Sequence, residues 1–321
     1  STLTFNQITN GLSEVNTQQL IANGQFQLIK KIGEGSFGQV YLALDKQNDK
    51  DSRRQDRINL LSIPQLLVEF QNLKLLSGDG FPQLHHSGIV VEQDFIFMIQ
   101  ELLGPTLEDL FNFCGRKFSL KTCLMLFGQI LSRLEFMHKK GLIHRDIKPD
   151  NIMMGMGEVS DVVHMIDFGL TRTVFNKRNG KHIEFRTGKN LVGTARFVSI
   201  NAHLGYELSR RDDLLTLGYV MVYFTLGKLP WQHVDTRRRS ARFEDLGRMK
   251  QACPPAELCK NCPLQYRKYF EYCNKLEFDE EPDYAMLKSL ISDAAVQNGF
   301  DLEDKTFDGA SNSKWYLASL L

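Results

Sequence analysis

The 321-residue sequence has no excess of either charge. It carries 39 Lys and Arg against 38 Asp and Glu, a net charge of +1. No global field draws it to nucleic acid or to a membrane surface, so any basic site must be local. No run of about 18 apolar residues could span a bilayer, and no secretory h-region opens the chain. Cysteines are few: 114, 123, 253, 259, 262 and 273. Cys259 and Cys262 form C-x-x-C, flanked by Cys253 and Cys273. The second close pair or the histidines of a zinc site are missing. Reduced thiols in a cytoplasmic setting are the expectation, with nuclear or cytoskeletal association compatible with it. One further lack has chemical consequences. There is no lysine anywhere from Asp51 to Leu73.

What is present is an ordinary globular composition, 42% hydrophobic and 24% charged, on a chain long enough for one large domain or two lobes. Residues 1–24 are rich in Ser, Thr, Asn and Gln and read as a polar extension. FQLIKKI (26–32) and QVYLAL (39–44) read as strands around a glycine stretch. Leu66, Leu67, Phe70, Leu73, Leu75 and Leu76 recur at roughly helical spacing. GIVVEQDFIFMIQEL reads as two strands turning at Glu92–Asp94. From Leu107 onward the pattern is mainly helical. The expected fold class is α+β, a small sheet-rich part followed by a larger helical one.

Three motifs carry chemistry. GEGSFG places Gly33, Gly35 and Gly38 between two strand-like runs. A strand–loop–strand of this kind can lay backbone N–H groups over phosphates. IHRDIKPDN (143–151) spaces Asp146, Lys148 and Asn151 as a phosphoryl-transfer loop does. There the Asp orients a substrate hydroxyl, the Lys neutralises the γ-phosphate and the Asn offers oxygen to Mg²⁺. HMIDFGL delivers Asp167 behind an apolar strand as a second Mg²⁺ ligand.

With these motifs, the stretches ELLGPTLEDLFNFCGRKFSLKT, LIHRDIKPDNIMMG, GTARFVSIN and SRRDDLLTLGYVMVYFTLGKLPWQ resemble the protein kinases, and within them the casein kinase I family. Ser199-Ile200-Asn201 stands where most kinases carry Ala-Pro-Glu. The resemblance covers about residues 25–303. It implies a two-lobed protein-kinase fold with an N-lobe at 25–102, a hinge at 101–104, a C-lobe at 105–303 and a tail at 304–321. It implies ATP with Mg²⁺ and transfer of phosphate to Ser or Thr of protein substrates. Ile32 and Val40 beside the glycines, Gln100 before the hinge, and Glu101 and Leu103 within it are the implied nucleotide contacts. Leu126, Ile130, Leu134, Tyr219, Val222, Tyr223 and Phe224 are expected in the C-lobe core.

The missing lysine bears directly on this resemblance. A kinase holds the α- and β-phosphates with a lysine on its third strand, paired to a helix glutamate, here Glu69. Counting from Tyr41 to Glu69 without a gap puts Ser-Arg-Arg-Gln (52–55) in the Val-Ala-Ile-Lys place and Gln55 in the lysine's position. Arg53 or Arg54 is the candidate substitute. Gln100, where the family usually has methionine, is expected to bond Glu69 or Gln55 across the gap. Arg145, Arg172 and Lys189 match one family anion site. Arg196 and Arg242 match a second, which favours acidic or pre-phosphorylated substrates, with Arg237–Arg239 beside it and His233 in place of a glycine. Two readings follow: a kinase of reduced activity, or a nucleotide-binding or silent pseudokinase acting as a scaffold. The polar extension and the apolar WYLASLL end are candidates for docking to a larger assembly.

Overall fold

A computed structural model describes residues 20–21, 24–35, 38–46, 55–61, 63–90, 95–176, 178–232 and 239–308. The polar extension up to residue 19, Arg53 and Arg54, His233, Arg237, Arg238 and the WYLASLL end lie outside the described residues. The chain divides into two compact units. One comprises 1–77 with 82–102, the other 78–81 with 103–321.

The first unit is a six-stranded sheet of β1 (Leu20–Ile21), β2 (Phe26–Gly35), β3 (Gly38–Asp45), β4 (Gln55–Leu61), β5 (Leu84–Val90) and β6 (Phe95–Glu101). Their order is β1-β2-β3-β4-β6-β5, with every neighbour antiparallel. Alternation sets the two faces of β3. Gln39, Tyr41 and Ala43 are buried, while Val40, Leu42 and Leu44 are half-buried. The tyrosine hydroxyl satisfies the buried glutamine by donating to Gln39 Oε1 at 2.6 Å. The helix α1 (Ile63–Leu75) follows β4 after one intervening residue and buries Leu73.

The second unit is mainly helical. It contains α2 (Leu107–Phe113), α3 (Leu120–Lys139), α4 (Ile200–His203), α5 (Arg210–Leu226), α6 (Arg239–Gln251), α7 (Pro255–Leu258), α8 (Leu264–Cys273) and α9 (Tyr284–Gln297). Two small ribbons carry the polar motifs. In one, β7 (Leu142–Ile143) pairs β10 (Arg172–Thr173); in the other, β8 (Ile152–Met154) pairs β9 (Val163–Met165). Local sequence explains the helix ends. Thr106 and Asp109 form a capping box for α2, Ser119 caps α3, and Gly227 ends α5 at a φ of 82°. The run Leu214–Phe224 is buried throughout, as a helix apolar on all sides must be. Leu126, Ile130, Leu134, Tyr219, Val222, Tyr223 and Phe224 are all in this core. Around Phe111 the rings of Phe118, Tyr223 and Phe224 lie at centroid distances of 5.2, 4.9 and 5.2 Å. Among the described residues no helix is long and apolar enough to cross a membrane.

Phe111 is fully buried in this aromatic cluster, so truncation leaves a cavity that stiff rings fill poorly. Phe111→Ala is expected to destabilise the second unit by about 3–5 kcal/mol. Urea unfolding followed by tyrosine and tryptophan fluorescence measures it.

Candidate active site

The second unit assembles its motif residues around Asp146. This carboxylate is 6% exposed. Thr194 donates its hydroxyl to Asp146 Oδ1 at 2.8 Å. Lys148 Nζ lies 2.9 Å from Oδ2, and the Asn151 side-chain nitrogen donates to the same oxygen at 3.1 Å and to the Asp146 carbonyl at 3.0 Å. The loop turns sharply to achieve this. Arg145 takes a φ of 70°, in the left-handed region that costs an ordinary residue strain. Asp213, near the start of α5, holds the turn by accepting from the backbone N–H groups of His144 and Arg145 at 2.7 and 2.9 Å. Burial alone would raise the Asp213 pKa. Its hydrogen bonds from His138 and the Arg145 backbone, with the neighbouring histidines, bring it below the usual carboxylate value.

His144 serves the loop from inside. Its Nδ1 accepts from the Asp146 N–H at 3.3 Å and its Nε2 meets the Ile166 carbonyl at 3.1 Å, which together select the Nε2–H tautomer. Phe168 packs on the His144 ring at 5.5 Å and on Phe81 at 6.0 Å. Asp167, just before Phe168, takes a φ of 63°, and its Oδ1 accepts from Gly169 N–H at 3.3 Å.

The donors here fit a magnesium ion. With the Asn151 nitrogen committed to Asp146, its amide oxygen is the atom left for a metal. Asp167 adds a carboxylate. Hard oxygen ligands, few from protein and the rest from phosphate and water, are what Mg²⁺ takes.

In the first unit the glycines sit as expected, at the joined ends of β2 and β3. Gly35 pairs Gly38 and Gly33 pairs Val40. Ile32 is exposed and Glu69 lies on α1. Beyond Glu101, the Gly104 N–H of the second unit donates to the Met154 carbonyl at 2.8 Å, and Leu103 is buried.

The strand register corrects the reading of the missing lysine. Residues 52–54 lie outside the described residues, and β4 is described over Gln55–Leu61, with Gly38 opposite Leu61, Val40 opposite Asn59 and Leu44 opposite Gln55. The physical reason is composition. The apolar, β-forming Ile58, Leu60 and Leu61 suit a strand flanked by β3 and β6. At about 3.3 Å per residue, Gln55 lies roughly 20 Å along the strand from the glycine end. Asn59, opposite both Val40 and Met98, holds the register position next to the glycines. The expected bond from Gln100 to Glu69 is also corrected, while the Gln55 side chain lies outside the described residues. Gln100 is 4% exposed and its side-chain nitrogen has no hydrogen-bond partner among the described residues.

The first anion site is corrected as well. Arg172 and Lys189 do converge, but on a carboxylate of the chain itself. Glu207, 4% exposed, meets Arg172 at 2.6 Å and Lys189 at 3.1 Å. Arg145 spends its Nε on the Leu170 carbonyl at 2.6 Å. Arg196 instead lines an open cavity of about 470 Å³ with Glu108, Asp150, Thr194, Phe197 and Trp231. Arg242 lies on α6, its side chain outside the described residues. Thr194, Asp213 and Glu207 were missed from sequence. The first two stood in GTARFVSIN and SRRDD, and only Glu207 lacked a motif to flag it.

A small antiparallel sheet unit, a helical unit and a strained loop that presents Asp146 with lysine and asparagine partners define a kinase-type phosphoryl-transfer domain. The chain matches the protein kinase domain family over residues 26–263, and it belongs to that family.

Replacing Glu207 with glutamine should free Arg172 and Lys189 for solution anions. Glu207→Gln is expected to lower stability by about 1–2 kcal/mol, between the values for charged hydrogen bonds and for exposed ion pairs, because Arg172 and Lys189 are partly exposed. Millimolar sulfate should recover part of the lost melting temperature in the variant and do little to the wild type.

Proposed function

We propose that the chain is a serine/threonine protein kinase of the casein kinase I type, using ATP and Mg²⁺ with reduced turnover on acidic or pre-phosphorylated proteins. The observation that carries this reading is the Asp146 carboxylate, held by Thr194, Lys148 and Asn151. In this reading it orients a hydroxyl and accepts its proton as the phosphoryl group transfers. Lys148 brings positive charge to the same spot. Asn151 and Asp167 would hold the metal, which when bound offsets the charge of the phosphates. Arg196, facing a cavity beside Thr194, is the described residue that favours a negative substrate group.

Reduced turnover follows from β4, where no lysine stands from Gln55 to Leu61. A hydrogen bond to a charged group contributes about 1.5–3 kcal/mol, so its loss slows the reaction by roughly 10- to 150-fold. The same observation favours a second reading, a nucleotide-binding or silent pseudokinase that serves as a scaffold. A cytoplasmic location and docking through the two chain ends belong to either reading.

Wild type, Asp146→Asn, Gln55→Lys and Asn59→Lys should be compared with labelled ATP on a peptide with and without a priming phosphate. Wild type is expected to exceed Asp146→Asn and to prefer the primed serine peptide. Asn59→Lys is expected to raise kcat/KM more than Gln55→Lys. Equal signal from wild type and Asp146→Asn would hand the chain to the pseudokinase reading, which a MgATP thermal shift would then test.

A further inference from the structure

One buried lysine lies outside the machinery described so far. Lys250, near the end of α6, is 2% exposed. No carboxylate pairs with it among the described residues. Its ammonium donates to the backbone carbonyls of Ala195 and Val198 at 2.9 and 2.5 Å. The rings of Tyr219 and Trp231 stand 5.1 and 5.3 Å from the charge. Burial lowers its pKa well below the ordinary lysine value. A methionine would fill the same space without that penalty. What only a nitrogen provides here is the pair of bonds to the carbonyls.

Those carbonyls belong to a short turn fixed from every side. The N–H groups of Phe197 and Val198 both donate to the Thr194 carbonyl, at 2.8 and 3.1 Å. The Trp231 indole N–H donates to the Arg196 carbonyl at 2.8 Å. So three carbonyls of the segment 195–198 are claimed by two side chains from elsewhere in the fold. The turn in consequence presents the Thr194 hydroxyl to Asp146 and the Arg196 side chain to the 470 Å³ cavity. The depth of Lys250 also has a cause. A Cβ on Gly247, one turn earlier, would meet the His203 Cβ at 2.9 Å, so glycine lets α6 settle on α4. Burial and the charge of Lys250 push the His203 pKa down to about 4, so the imidazole stays neutral beside it at physiological pH.

We propose that Lys250 is a positioning residue. It pins the segment Thr194–Val198, and through Thr194 the carboxylate of Asp146, in the arrangement that receives a protein substrate. The consequence for substrate rests on the kinase reading above, while the pinning itself does not.

Hydrogen exchange on the full chain reads the pin directly. In Lys250→Met, exchange at the Phe197 and Val198 amides should quicken by roughly tenfold or more, with protection in α5 unchanged. Peptide KM should rise with the KM for ATP unchanged, and Lys250→Arg should recover part of both effects. Unchanged exchange at these two amides in Lys250→Met overturns the proposal. So does an unchanged peptide KM in a chain that turns over. Should Lys250→Met fail to fold, Gly247→Ala, which lifts α6 while keeping the lysine, takes its place in the same measurement. Local loosening at Phe197 and Val198 with α5 intact supports the pin, and unchanged exchange overturns it. If no form of the chain transfers phosphate, the kinase reading fails and the exchange result still decides the pin.

Discussion

The second unit depends on the burial of two adjacent carboxylates at the start of α5. Asp213 accepts from the His144 and Arg145 backbones and from His138 Nε2 at 3.0 Å. Without it the left-handed turn at Arg145 has no counterweight, and Asp146 loses its mounting. Asp212 faces the other way. It accepts from the Ser209 N–H at 2.8 Å, the Ser199 hydroxyl at 2.7 Å and the Asn201 amide at 2.9 Å. One helix end thereby ties together the Asp146 loop and the Ser-Ile-Asn segment that follows the Thr194 turn. The helix N-terminus favours negative charge at both positions. Their environments still differ. Burial raises the Asp212 pKa despite its donors, whereas histidine neighbours and backbone donors keep Asp213 low.

Much of this was legible in the sequence because it is local. Asp146, Lys148 and Asn151 are brought together by a turn of six residues, and Asp167 reaches the same region from the next ribbon. Helix caps at Thr106 and Ser119 and the apolar run of α5 could be read in the same way. The misreadings are all long-range. Counting residues from Tyr41 to Glu69 put Gln55 in the lysine's place, but register is set by cross-strand pairing, which sets Asn59 opposite Val40 and Gln55 opposite Leu44. Arg172 and Lys189 had the right identities for an anion site. Their partner Glu207 lies 35 and 18 residues away in sequence and had no pattern to announce it. Lys250 had no local signal either, since its partners are backbone carbonyls some fifty residues earlier.

The two units make opposite statements about catalysis, and their energetics explain how both can hold. The Asp146 network stands on bonds internal to its own unit: Asp213 beneath the loop, Thr194 above it and the Lys250–Trp231 grip behind Thr194. Such a loop keeps its geometry whether or not phosphate is ever transferred. The intact Asp146, Lys148 and Asn151 therefore speak for one half only. The other half lacks a cation at a defined strand position, and that lack has a finite size. A lost charged hydrogen bond is a loss of a few kcal/mol in the transition state, set against the roughly 8–23 kcal/mol by which enzymes typically lower a barrier. Losing that one contact would slow phosphoryl transfer while leaving Asp146, Lys148, Asn151 and Asp167 in place. It is on this balance that the proposal of slow turnover rests.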